Sequence, residues 1–233
     1  RDVERSRGLG DVYKRQGVCN LYHTLKVENV VPTHGAAGAN HHVFYSLIEP
    51  GDEVISIMPT YQQLYSIPES LGAKVKILNL SADNGYHVEL PALKNLVTEQ
   101  TRMICINNPN NPTGAIMTKE DLEPIAEILR DTNIMVLSDE IYSELTYGRK
   151  HFSITQLDGM QERTILINGF SKAFAMTGWR LGYLAAPEPL VTQILKIHQY
   201  AIMSSPTVSQ YAAVEALTLF LAMYSSSFAI SFC

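Results

Sequence analysis

An α/β fold, a mostly parallel sheet flanked by helices, is predicted by two features of this sequence. Short apolar runs recur along the chain, and the segments between them carry helical patterning. A buried strand, a helix and then another buried strand imply crossover connections, parallel pairing and helices on both sheet faces. Composition agrees: 233 residues with 46% hydrophobic and 18% charged content, 14 glycines and 11 prolines describe an ordinary globular chain. At roughly 150 residues per domain, that length is one large domain, or one plus a piece of another.

The elements follow in order. Ala36 to Ile48 is helical in pattern, and the turn Pro50-Gly51-Asp52 introduces the strand Val54-Ile55-Ser56-Ile57. Gln62 to Leu71 is the next helix, and Lys74 to Leu80 alternates charged and apolar residues, as a half-covered strand does. Met103-Ile104-Cys105-Ile106 and Ile134-Met135-Val136-Leu137 are compact apolar strands on either side of a helix over Lys119 to Leu129. Thr164-Ile165-Leu166-Ile167 and Leu181 to Ala186 complete the strands, and Pro189 to Tyr200 is the last helix. No internal repeat is present.

Charge and composition exclude several function classes. A net charge of −5 offers no basic footprint for nucleic acid. The longest apolar candidate, Ala212 to Met223, is shorter than the roughly 18 residues of a membrane span and contains Glu215. No basic segment followed by an apolar one suggests secretion. Cys19, Cys105 and Cys233 are too few and too scattered for a disulfide framework, so a reducing, cytoplasmic compartment is expected. His34, His41 and His42 lack accompanying carboxylates or cysteines at ligand spacing, and no metal site is expected. Residues 1–16 and 224–233 have neither periodicity nor caps; they read as tails outside a domain over 17–223, with the chain a fragment of a longer protein.

In a parallel α/β sheet, ligands sit beyond the carboxyl ends of the strands. Four unusual segments fall there. Asn107-Asn108-Pro109-Asn110-Asn111-Pro112-Thr113-Gly114 follows a strand, and its two Asn-Pro steps predict an extended, rigid path that can hold an oriented amide. Ser138-Asp139-Glu140-Ile141-Tyr142 puts an acid just past a strand, where it needs a cation or a strong donor, with a phenol close behind; the plainer role for Asp139 is to cap a following helix. The segment from Asn168 to Tyr183 carries Lys172 among small and apolar residues, then Trp179 and Arg180. A desolvated lysine amine can condense with a carbonyl, and an arginine suits a phosphate. Thr33-His34-Gly35-Ala36-Ala37-Gly38-Ala39-Asn40 opens a helix with small residues, leaving free amides for an anion. A phosphate cradle, an acid, a phenol, an amide and a lysine are together what pyridoxal phosphate requires.

The motifs Asn-Pro-Thr-Gly, Asp-Glu-Ile-Tyr and Ser-Lys followed by Gly-Trp-Arg-Leu-Gly-Tyr occur in this order over about Gly17 to Met223. In them the chain resembles the class I/II aminotransferases, pyridoxal-phosphate enzymes of fold type I related to aspartate aminotransferase. The resemblance implies that Lys172 forms the Schiff base and moves the proton at substrate Cα. It implies that Asp139 pairs with the pyridine nitrogen and that Tyr142 and Asn111 bind the ring hydroxyl. Arg180 binds the phosphate, helped by Ser171 and the backbone of Gly35, Ala36 and Ala37, and Tyr61 is the aromatic at the ring face. The implied activity is transamination between an amino acid and a 2-oxo acid, in a cytoplasmic homodimer.

Two positions depart from the family pattern. Gly169 stands where many members have a hydroxyl residue, and Ala37 offers only backbone where others place a polar side chain; both predict weaker phosphate binding. The resemblance also implies a large cofactor-binding domain without the rest of the small domain. Three other readings stand beside it. One is a lyase or other enzyme using the same Cα carbanion; given an amino acid alone, a transaminase accumulates the pyridoxamine form and a lyase does not. Another is a truncated, inactive homologue. The third, a transcription regulator, is disfavoured by the charge and by a leading segment too short for a helix-turn-helix module.

Overall fold

The apolar runs become strands of one seven-stranded sheet. The structure, a computed structural model, describes residues 15–19 and 25–225, with side chains up to residue 219. The strands are β1 (Val30–Thr33), β2 (Glu53–Met58), β3 (Lys74–Asn79), β4 (Thr101–Asn107), β5 (Met135–Asp139), β6 (Thr164–Gly169) and β7 (Gly182–Ala185), in the order β1-β7-β6-β5-β4-β2-β3. From β3 through β6 all pairings are parallel, whereas β7 runs antiparallel to both β6 and β1. The helices are α1 (Gly35–Leu47), α2 (Gln63–Ser70), α3 (Leu90–Leu96), α4 (Lys119–Leu129), α5 (Glu188–Ala201) and α6 (Thr207–Ser225).

Three elements lie beyond the expected set. β1 is only Val30-Val31-Pro32-Thr33, and its proline suits an edge position, where a missing N–H breaks no ladder. α3 is a short helix with proline in its first turn. α6 is apolar around much of its circumference and gives no amphipathic signal. The tails expected at 1–16 and 224–233 lie almost wholly outside the described residues.

The central strands are apolar without interruption because both faces are covered. In β4, Met103 and Cys105 join the cluster of Ala39, Val43 and Phe44 from α1 and Val191 and Ile194 from α5. Ile104 and Ile106 point the other way, into the cluster of Leu93 from α3 and Leu122, Ile125 and Leu129 from α4. Both layers leave the carboxyl ends of β4, β5 and β6 side by side.

Two buried histidines, His42 of α1 and His198 of α5, meet within the α1–α5 layer. His42 is 1% exposed, with its ring edge-on to His198 at 5.2 Å between centroids. Neither ring nitrogen of His42 has a hydrogen-bond partner. Burial lowers its pKa from 6.5 to about 4, and the neighbouring His198, His41 and His34 add to the effect. The unfolded chain therefore binds a proton that the folded chain refuses. This contribution to stability is fully present above pH 6.5 and is lost as pH falls toward 4. Over that window His42→Leu is expected to flatten the pH dependence by roughly 1 kcal/mol per pH unit, as measured by urea unfolding of both chains at matched pH values.

Candidate active site

Asp139 ends β5, paired in register with Asn107 of β4 on one side and Ile167 of β6 on the other. It is buried, and its carboxylate is held at both oxygens: Oδ1 accepts the Ile141 N–H at 3.2 Å, and Oδ2 accepts Asn40 Nδ2 at 3.3 Å. Burial raises its pKa to about 6; the Asn40 and Ile141 hydrogen bonds oppose the rise and the charge of Glu140 adds to it. No helix follows Asp139: residues 141–144 form a turn, which removes the helix-capping role.

The Asn-Pro segment is a turn rather than the extended path expected. Asn110 closes it, its Oδ1 accepting Thr113 N–H at 3.1 Å and its carbonyl accepting Gly114 N–H at 2.9 Å. Local amide-to-backbone bonding wins over the extended preference of residues preceding proline. Asn107 then joins this turn to the acid: its Nδ2 donates to the Asp139 carbonyl at 3.0 Å, and its Oδ1 accepts Asn111 N–H at 2.7 Å. Asn111 is thereby brought to the end of β5, half-buried. Asn110 Nδ2 donates to the Pro59 carbonyl at 3.0 Å, tying in the loop after β2 that carries Tyr61, which is 40% exposed.

Lys172 and Tyr142 occupy neighbouring turns after β6 and β5. The lysine Nζ lies 5.3 Å from the centroid of the Tyr142 ring, and Lys172 is half-buried rather than enclosed. The two turns are pinned together, because Asn168 Nδ2 donates to Ser143 Oγ at 3.0 Å. Behind Tyr142, the buried Glu140 accepts Ser138 Oγ at 2.9 Å and Ser153 Oγ at 2.7 Å, and meets His151 Nε2 at 2.7 Å.

The fourth segment forms a cradle with Arg180, shaped by Gly35 and by Gly182 of β7. Gly35, at φ +68°, opens α1, and His34 supplies no side-chain cap to the first-turn amides of Gly35, Ala36 and Ala37. A Cβ on Gly35 would lie 2.9 Å from Arg180 Nη2, so the guanidinium lies against the start of the helix. Arg180 is itself at φ +50°, a costly conformation for a side-chain-bearing residue, and donates from Nη1 to the Thr177 carbonyl at 3.1 Å. Below them Gly182 of β7 presses on the same turn: a Cβ there would meet the Gly35 carbonyl carbon at 2.5 Å and Ala36 N at 2.6 Å. Gly182→Ala is expected to cost about 3 kcal/mol or more, because backbone atoms rather than flexible side chains must move. Urea unfolding measures it, and binding of inorganic phosphate should weaken in parallel. Ser171 is buried on the same loop, its carbonyl accepting Thr177 Oγ1 at 3.0 Å.

A family profile for aminotransferases of class I and II matches residues 10–225. The chain belongs to this family. Among its relatives, an aromatic-amino-acid aminotransferase of Thermococcus litoralis is 42% identical over 184 residues, covering 77% of this chain and 47% of that protein. An aspartate aminotransferase of Musicola paradisiaca is 39% identical over 191 residues, covering 82% and 48%. The crystal structure of a PLP-dependent aminotransferase from Streptococcus suis superposes with a TM-score of 0.84 at 38% identity, over 90% of this chain and 55% of that one. The fold is therefore that of the fold type I aminotransferases, and the chain spans about half the length of the relatives it matches.

The strand geometry at Gly169 accounts for the absence of a side chain there. A Cβ on Gly169 would lie 2.9 Å from Gly182 Cα and 3.1 Å from the Leu181 carbonyl oxygen, across the antiparallel β6–β7 pair. In this class I/II chain a hydroxyl residue at that position would force the two strands apart.

Asn40, Asn107 and Glu140 lay inside segments the sequence singled out but were given no role of their own, and Gln63 and His151 were missed as parts of the site. For Asn40 a signal existed: it is a polar residue on the buried face of α1, beside Ala39, Val43 and Phe44. Among the described residues no group of histidines, cysteines and acids is arranged to hold a metal ion, and no helix is long and apolar enough to cross a membrane.

Proposed function

We propose that the protein of which this chain forms part transfers an amino group between an amino acid and a 2-oxo acid, using pyridoxal phosphate. The observation that carries the reading is one juxtaposition: a buried acid, a lysine amine and an arginine at a helix start, gathered at the carboxyl ends of β4 to β6 and the start of β7. The residues fit the cofactor. The space a Gly35 Cβ would fill lies under the Arg180 guanidinium, and first-turn amides without a side-chain cap face the same region, as a phosphate monoester needs.

Arg180, Ser171 and the amides of Gly35, Ala36 and Ala37 would hold the phosphate. Asn111 and Tyr142 would bind the ring hydroxyl, Tyr61 would cover a ring face, and Asp139 would hold a proton on the pyridine nitrogen. When bound, the cofactor supplies an electron sink for negative charge at substrate Cα. Lys172 would be the covalent attachment point and then the base that carries the proton away from substrate Cα. Asp139 suits its part because a buried carboxylate with two donors gains more from a facing cation than a solvated one does. We further propose that the whole protein is a cytoplasmic homodimer. Exposed apolar side chains such as Tyr200, Val208 and Tyr211 are in keeping with a larger assembly.

Relatives of this chain include both an aromatic-amino-acid and an aspartate aminotransferase, so the amino acid used is a matter for measurement. The test is a visible-absorbance titration of the chain with pyridoxal phosphate, followed by amino acids singly. Binding with conversion to the pyridoxamine form supports transamination. Saturable binding without that conversion by any amino acid, followed by release of an altered amino-acid product, would overturn it in favour of a lyase.

A further inference from the structure

A fully buried amide in the middle of an apolar helix face needs a reason. Asn40 is 0% exposed, in the second turn of α1, among Ala39, Val43 and Phe44. An apolar residue there would avoid the cost of desolvating an amide, and that cost is only partly met, since Asn40 Oδ1 is buried without a hydrogen-bond partner. What the side chain does use is its N–H group. Nδ2 donates to Asp139 Oδ2 at 3.3 Å and reaches Gln63 Oε1 at 3.4 Å, while Gln63 Nε2 donates to the Ala37 carbonyl at 3.5 Å. The chain of contacts Asp139–Asn40–Gln63–Ala37 thus links the acid at the end of β5 to the first turn of α1 and the first residue of α2.

We propose that Asn40 is a positioning residue for Asp139: its amide N–H fixes the direction of the carboxylate and favours the ionised form, with Gln63 bracing the amide against the start of α1. The inference rests on the role assigned to Asp139 above, and it concerns this chain's own residues before any cofactor binds. Two facts support it. With Ile141 N–H on Oδ1 and Asn40 on Oδ2, both oxygens are oriented, and each keeps a further lone pair for a facing cation. Among the influences on Asp139, burial pushes its pKa up and Asn40 is the strongest of the groups pulling it down, ahead of Ile141 N–H; the adjacent Glu140 acts in the same direction as burial.

The experiment follows the Asp139 carboxyl in the cofactor-free chain by carbon NMR with labelled aspartate, its resonance assigned by its loss in Asp139→Asn. Asn40→Leu, close in volume and without a donor, should move the titration midpoint upward by roughly one unit. Asn40→Ala, smaller and also without a donor, should move it in the same direction. A purely structural asparagine would change the unfolding midpoint of either variant and leave the Asp139 titration where it was, and that result would overturn the proposal. Should Asn40→Leu fail to fold, Asn40→Ala carries the same test. A wild-type chain that binds no pyridoxal phosphate would undermine the cofactor reading alone, since the titration is read without cofactor.

Discussion

Replacing Lys172 by alanine is expected to leave a folded chain that develops no visible band with pyridoxal phosphate, whereas the wild-type chain does. Lys172 is half-buried, and its amine lies 5.3 Å from the Tyr142 ring centroid, so the truncation removes a cation–π contact but little buried apolar surface. The unfolding midpoint should therefore move little, by no more than about 1 kcal/mol in stability. The effect on attachment is expected to be total, because among the described residues no other lysine stands with those gathered at the ends of β4 to β6. The phosphate contacts proposed for Arg180 and the first turn of α1 remain, so the variant should still bind the cofactor reversibly. A borohydride-reducible adduct surviving in Lys172→Ala would remove the lysine from its proposed role.

Asp139→Asn is expected to make the cofactor-free chain more stable at pH 7 while impairing its chemistry. The folded carboxyl titrates at about 6, above its ordinary value of 3.8, because it is buried. Between those values the folded chain holds a proton that the unfolded chain has released, so stability falls as pH rises through the window, and the full cost stands above pH 6. The isosteric amide removes that cost, on the order of 3 kcal/mol at neutral pH. It can still accept the Ile141 N–H, and its own N–H can meet the unpartnered Asn40 Oδ1 if that amide turns over. Urea unfolding should show the gain at pH 7 and its disappearance toward pH 4. With cofactor and amino acid present, the Cα proton should leave more slowly, on the order of 10²-fold, the scale for losing one preorganised charge-stabilising group. An unchanged rate would take Asp139 out of the reaction, and an unchanged stability would mean that its burial carries no cost in the folded chain.

That opposition between stability and function is typical of sites where local rules are broken for a purpose. Two more broken rules lie in the same region. Arg180 adopts a positive φ without being glycine, and Asn40 buries an amide on an apolar face. Arg180 could be singled out in the sequence by its motif, although its backbone conformation could not. Asn40 left a trace in helical periodicity, but its partner lies on another element, far away along the chain.

The sequence by itself determined the fold class and singled out an acid, a phenol, a lysine and an arginine as candidates for one site. Those follow from local signals: apolar runs of strand length, helices between them, and chemically distinctive residues placed just after strand ends. It left β1, α3 and α6 unread, because a proline-bearing edge strand, a helix of two turns and an evenly apolar helix carry weak periodicity. Only the tertiary structure decided how Gly35, Gly169 and Gly182 meet, why a hydroxyl residue has no room at position 169, and that Asn40 and Asn107 bracket the acid from α1 and β4. Each of those contacts joins segments distant in sequence, and its geometry is set by how strands and helices pack, which no window of neighbouring residues contains.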